Sequence, residues 1–228
     1  MSQIKNVYKS CFILYNANNI NESNIAFLTE KYLHDNEKSI IKRRKKIVAK
    51  KEYIASRFLV KTYIAQRLNI SYQALQLTFD EKASKLKAIY KNKSLALNVS
   101  LAHSKGLIFF GITEDETELG VDIEYHNPVR NTQALINAYF HPEEIKLLHK
   151  DHSTSFYSLW TLKEALAKLT TKTVLEVLGE NTMQSLAHYH YTTAQYDQFN
   201  LAIVQTSPIA ENFYCVIDHE KALQLSHE

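Results

Sequence analysis

Glycine and proline are scarce in this chain, four and three among 228 residues. Sharp breaks are therefore few, and element boundaries have to be read from periodicity. Cysteine is nearly absent. Cys11 and Cys215 are too far apart to suggest a Cys-x-x-Cys ligand pair, and His188-Tyr-His190 lacks partners at metal spacing, which excludes a zinc site. Both cysteines are expected to be free thiols. Long apolar runs are missing too. Cys11-Phe-Ile-Leu-Tyr15 is too short for a signal h-region or a membrane span and reads as a first strand, so an unexported, cytoplasmic protein without membrane contact is expected. Neither a solenoid repeat nor a low-complexity tract is visible. No sign of charge dominates: the formal net charge is +3, so attraction for anions must come from local patches. The run Lys42-Arg-Arg-Lys-Lys46 is such a patch. It reads equally as a solvated helix face, an anion site or a nucleic-acid patch. At 45% hydrophobic residues the chain can bury a core as one large domain or as two lobes of about 100 residues each.

Two segments carry the chemistry. On a strand, side chains alternate faces, so in Gly120-Val-Asp-Ile-Glu124 Asp122 and Glu124 point together while Val121 and Ile123 point to a core. Some forty residues later stands Trp160-Thr-Leu-Lys-Glu-Ala-Leu-Ala-Lys168. On a helix, Trp160, Glu164 and Lys168 share one stripe, and Leu162, Ala165, Leu166 and Leu169 form the buried one. Two carboxylates on a strand and a third on a helix suit a hard cation with oxygen ligands, Mg²⁺ above all. Taken singly, Asp-x-Glu also describes a solvated strand face, and Glu164 with Lys168 an ordinary helix-stabilising pair.

Gly120 to Glu124, then Tyr139-Phe-His-Pro-Glu-Glu144, then Leu159 to Lys168, in that order, resemble the signature of the 4′-phosphopantetheinyl transferases, specifically the monomeric, surfactin-synthetase-activating type. Upstream, Ala55-Ser-Arg-Phe-Leu-Val-Lys61 with Leu68-Asn-Ile70 is similar to that family's first-half helix, and Ser100-Leu-Ala-His-Ser104 resembles its Asn-x-Ser-His-Ser segment. The matches span roughly residues 40 to 170.

The resemblance implies an α+β fold of two similar α/β lobes about a pseudo-twofold axis, here 1–105 and 106–228. It also implies an enzyme that moves the phosphopantetheine arm of coenzyme A to a serine of an apo acyl or peptidyl carrier protein, releases 3′,5′-ADP and uses Mg²⁺. Carried over by position, Asp122, Glu124 and Glu164 would hold the metal. Lys168 would stand near the diphosphate or the incoming serine, and Glu144 would assist serine deprotonation, a task that a water on the ion or a phosphate oxygen could also perform. Arg57 and His103 would contact coenzyme A, with Lys85 and a basic residue around Arg43 reaching its phosphates. Trp160→Phe is expected to act mainly on folding. Fatty-acid, polyketide and nonribosomal-peptide carriers all fit the acceptor role.

Three positions depart from the pattern. Ala102 stands in place of a hydroxyl, Ser84-Lys85-Leu86 in place of a Gly-Lys-Pro turn, and Leu169 to Val174 in place of a glycine-containing turn. Rival classes are another Mg²⁺-dependent diphosphate or phosphodiester enzyme, such as a hydrolase of the carrier arm, and a non-catalytic module binding coenzyme A or nucleic acid.

Along the chain, periodicity predicts a strand from Val7 to Tyr15, a polar stretch Asn16–Ser23, and one long helix from about Glu37 to Leu68. A polar segment follows over Phe79–Lys93, with a turn at Asp80–Lys85. Strands are predicted at Leu95–Ser100 and Leu107–Thr113, with Glu114–Glu118 leading to the metal strand. Helices are predicted at Asn131–Tyr139, Pro142–His149 and Ser155–Leu169, and strands at Leu186–Tyr191, Asn200–Val204 and Phe213–Ile217.

Overall fold

The computed structural model describes residues 10–80, 85–114, 117–150, 155–211 and 213–218. The first part of the Val7–Tyr15 strand, the middle of the Asp80–Lys85 turn and part of the Glu114–Glu118 connection therefore lie outside the described residues.

Alternation along β1 (Ser10–Asn16) sets the layering. Ile13 and Tyr15 enter one apolar cluster and Phe12 and Leu14 another, as a strand buried on both faces must. β6 (Leu107–Glu114) does the same, with Ile108, Phe110 and Ile112 on one side and Leu107 and Phe109 on the other. These strands lie inside a seven-stranded sheet with β2 (Leu75–Asp80), β3 (Lys85–Tyr90), β4 (Lys93–Ser94), β5 (Leu97–Ser104) and β10 (Cys215–Ile217), ordered β10-β1-β6-β5-β3-β2 with β4 on β3. A second sheet has the order β7-β9-β8, from β7 (Leu119–Tyr125), β9 (Phe199–Gln205) and β8 (His190–Tyr196).

The helices close both sides. α1 (Glu22–Tyr32), α2 (Asp35–Arg43) and α3 (Ile47–Leu68) cover the outer face of the large sheet through Ile54, Phe58 and Ile64. The two sheets meet through Phe12, Phe109, Val121, Ile123, Leu201 and Ile203. α6 (Phe156–Thr170) covers the small sheet through Leu162, Ala165, Leu166 and Leu169 against Ala202 and Val204. α4 (Thr132–Tyr139), α5 (Pro142–Lys150), α7 (Val174–Leu178) and α8 (Thr182–Ser185) complete an α+β fold. Its layers run helix, large sheet, small sheet, helix. Among the described residues, no helix is long and apolar enough to cross a membrane.

Several expectations for single elements are corrected. The single helix from 37 to 68 is two, because Arg44 and Lys46 are extended, with ψ of 119° and 133°. Cations are favoured at the C-terminus of α2 and disfavoured at the N-terminus of α3, so the basic run breaks the helix where the macrodipole changes sign. The stretch Phe79–Lys93, read as polar, holds β3, where Leu86 and Ala88 point inward between lysines. α1 follows the polar Asn16–Ser23 stretch unforeseen. Leu186–His188 is a 3-10 turn, and the strand begins only at His190. The expected lobe boundary falls on the β5–β6 turn, where Lys105 and Gly106 take φ of 49° and 90°. A Cβ on Gly106 would stand 2.2 Å from the Asn18 side chain. β5 and β6 pair along their whole length in one sheet, and the change of sheet comes between β6 and β7.

Candidate active site

α6 lies unusually close to β7, and a glycine permits it. Val121 and Ile123 face the large sheet, so Gly120, Asp122 and Glu124 face α6. A Cβ on Gly120 would stand 1.9 Å from the Ala165 carbonyl oxygen and 2.8 Å from the Leu169 nitrogen. The helix starts where Ser155 Oγ accepts from the Ser158 N–H at 3.0 Å, and its phase turns Trp160, Glu164 and Lys168 toward the β7 carboxylates.

Lys168 makes the direct link. Its Nζ donates to Asp122 Oδ1 at 2.9 Å and to the Val121 carbonyl at 3.0 Å. Asp122 is only 4% exposed, and its Oδ2 is buried without a hydrogen-bond partner. Burial and the Asp122 charge raise the pKa of Glu164 to about 7, with Glu124 adding to the rise and Lys168 opposing it. Burial and Asp122 likewise push Glu124 above the usual carboxylate range, against Arg130 and Lys168. The indole N–H of Trp160 lowers both glutamates somewhat, yet it completes a well-formed hydrogen bond with neither. Arg130 Nη1 stands 3.8 Å from Glu124 Oε2.

A site in which burial and the Asp122 charge raise the proton affinity of both glutamates is short of positive charge. The hard oxygen donors of the three carboxylates, and the orphaned Asp122 Oδ2 above all, fit a hard divalent cation. Side-chain positions fall short of a formed centre: among the described residues, no three His, Cys, Asp or Glu groups are arranged to hold a metal ion. The ammonium of Lys168 is what answers Asp122 here.

Beside this cluster a cleft of about 320 Å³ opens between the two sheets. Among the described residues, β3 registers with β5 at one pair there, Leu86 with Val99. Arg57, Lys85, Lys168 and Lys172 line the cleft together with Phe79 and Leu86. Lys85 is bonded to Glu118 across it, and Lys172 to Glu180 at 2.6 Å. Arg57 is 9% exposed, lies 4.4 Å over the Tyr53 ring and reaches Glu37 only at 3.5 Å, so its Nε is buried without a partner. Four cations around one cleft suit a polyanion.

Other expected site residues stand elsewhere. His103 Nδ1 lies 3.2 Å from Glu52, whose other oxygen accepts from the Gly106 N–H at 2.7 Å. Burial pushes Glu52 up, but these bonds override it and hold it below the usual range. Arg43 is exposed, bonds the Ser39 carbonyl and does not line the cleft. Its neighbour Arg44 turns inward over Tyr53, 4.9 Å from the ring, with a buried unpartnered Nε. Glu144 is buried and committed elsewhere. It bonds Lys163 at 2.9 Å, the Thr182 N–H at 2.8 Å and the His141 N–H at 3.3 Å, tying α5, α6 and α8 together. Lys163 is fully buried and also donates to the Glu180 carbonyl at 2.7 Å. Burial lowers its pKa despite Glu144.

Sequence reasoning missed Arg130, Glu118 and Lys172. None belongs to a spaced motif, and only the fold brings them to the site. Arg44 had a signal, its membership of the basic run.

The chain is similar to two curated proteins and to one family model. slr0495 of Synechocystis sp., provisionally named a 4′-phosphopantetheinyl transferase, is 29% identical over 147 residues, covering 62% of this chain and 58% of its own length. The 4′-phosphopantetheinyl transferase HetI of Nostoc sp. is 31% identical over 75 residues, 31% of each chain. This chain thus spans less than two thirds of the curated relatives it matches. The stretch carrying all three carboxylates and Lys168, residues 118–216, matches the family model of the 4′-phosphopantetheinyl transferase superfamily.

Proposed function

We propose that the chain transfers the 4′-phosphopantetheine arm of coenzyme A to a serine of an apo acyl or peptidyl carrier protein, releasing 3′,5′-ADP. We further propose that it is of the surfactin-synthetase-activating subtype, acting as a cytoplasmic monomer. One observation carries the reading: Lys168 belongs at once to the acidic cluster of Asp122, Glu124 and Glu164 and to the wall of the basic cleft. A diphosphate seated there meets Arg57 and Lys85 on one side and the carboxylates on the other.

Asp122, Glu124 and Glu164 would hold Mg²⁺, which when bound supplies positive charge to the diphosphate as a Lewis acid. The chain's own groups do the rest. The serine oxygen attacks the β-phosphorus, the bond to the 3′,5′-ADP oxygen breaks, and the serine proton leaves to an acceptor within hydrogen-bond reach. Lys168, Arg57 and Lys85 stabilise charge on the transferring and leaving phosphates, and preorganised groups of this kind are worth about 3 kcal/mol each. Lys85 and Lys168 exchange Glu118 and Asp122 for phosphate oxygens when the cleft fills. Glu144, held by Lys163 and two backbone N–H groups, braces the helices around α6.

Incubation with coenzyme A, Mg²⁺ and a panel of apo carriers, followed by intact mass, tests this. Addition of one arm to at least one carrier is expected, and Asp122→Ala and Glu164→Ala should each abolish it. Arm addition at the original rate by the double-alanine protein would overturn the metal assignment.

A further inference from the structure

Next to the acidic trio stand two donors that the reaction scheme does not use. The indole of Trp160 is racked between rings: Phe156 lies 5.4 Å away, and Phe140, 6.4 Å away, is nearly parallel to it at 20°. Phe140 and Phe156 stack on each other at 5.6 Å. The Arg130 guanidinium also covers the indole, 5.7 Å from the ring centre, and lies 5.8 Å over Tyr157. Tyr157 is fixed in turn. Its hydroxyl accepts from the Asn127 N–H at 2.8 Å and donates to the Asn127 carbonyl at 3.0 Å, and its ring stacks on His126 at 4.7 Å. Both side chains are thus locked by packing on the loop after β7 and the first turns of α6.

Trp160 Nε1 and Arg130 Nη1 are buried and make no hydrogen bond. A buried donor without a partner costs about 1–3 kcal/mol, and such groups in a native structure call for an explanation. Arg130 Nη1 stands 3.8 Å from Glu124 Oε2, and Trp160 precedes Glu164 by four residues on α6, so its indole shares the glutamate's stripe of the helix. We propose that Trp160 and Arg130 are positioning residues, a rigid pair of donors that turns Glu124 and Glu164 toward a common ion. Small rotations of the two glutamates complete the bonds, and the donors offset the repulsion that keeps the carboxylates apart. This gives the indole a role beyond folding. It rests on the metal reading above.

The test uses the whole chain and Mn²⁺ alone as the probe, read by electron paramagnetic resonance without coenzyme A or carrier. Trp160→Phe keeps an aromatic ring in the stack while removing the N–H together with the pyrrole part of the indole; Arg130→Met keeps a long stem and removes the donors. Each should weaken Mn²⁺ binding about tenfold, the effect of losing an outer-shell partner, and Arg130→Lys should recover most of it. Far-ultraviolet circular dichroism separates lost folding from lost positioning. If Trp160→Phe fails to fold, the Arg130→Met and Arg130→Lys pair decides. Wild-type Mn²⁺ affinity in the folded variants, with binding lost in Asp122→Ala, would overturn this proposal and leave the metal reading standing. Absence of Mn²⁺ binding in the unaltered chain would overturn both.

Discussion

Glu164 carries the most displaced carboxyl of the acidic cluster, and the sign of its shift has a consequence for stability. Its pKa, near 4.5 in an unfolded chain, is raised to about 7 by burial first and then by Asp122. Between those values the folded protein keeps a proton that the unfolded chain has lost, so the native state binds more protons and stability falls as pH rises. The metal-free chain should therefore melt at progressively lower temperature from about pH 5 to about pH 8, a window set by the two pKa values. Glu164→Gln should flatten that slope, which melting curves at several pH values would show. An unchanged slope in the variant would assign the effect to other groups.

The same residue marks how far sequence reasoning reached. Period two on β7 and 3.6 on α6 made two local pairs legible, Asp122 with Glu124 and Glu164 with Lys168; joining the two pairs rested on the family resemblance. Their partners were not readable. Whether Asp122 answers to a lysine, whether Glu144 faces substrate or Lys163, and which basic residue turns inward all depend on contacts between remote segments. Arg43 and Arg44 are equivalent as letters, yet one points to solvent and the other covers Tyr53.

At the scale of elements, the pairing of α6 with β7 makes the site, and Gly120 sets its spacing. The atoms a Cβ would meet are backbone atoms of Ala165 and Leu169, which cannot swing aside as a side chain would. Gly120→Ala should push the helix off the strand and cost about 3 kcal/mol or more, at the upper end of overpacking effects. Denaturant unfolding would measure it, and a loss below about 1 kcal/mol would show that the helix slides freely. Element type was legible where the period was long and clean, as in α6 and β6. It was lost where polar letters masked it. β3 alternates lysine with Leu86 and Ala88, which reads as a surface segment until its partners are known. The helix break at Arg44–Lys46 replaced a continuous apolar period because charge at helix ends overrode it.

For the whole molecule, the strand order ties the first and last described strands together. β1 lies between β6 and β10, so the first described strand is completed by residues 107–114 and by 215–217. Fragments 1–105 and 106–228 would each leave strand edges of the large sheet unpaired. Expressed singly, each should be unfolded by circular dichroism, and co-expression should restore structure. Autonomous folding of 1–105 would favour two independent lobes over one shared sheet.

Among the described residues the seam between β3 and β5 has one paired position, Leu86 with Val99, while Leu77, Leu86 and Ala88 hold β2 and β3 to the helix-covered core. Beside that seam Lys85 is ion-paired with Glu118, which stands just before β7 and the second sheet. An anion that took over Lys85 would release Glu118, so filling the cleft would exchange one ion pair for another at the join of the two sheets.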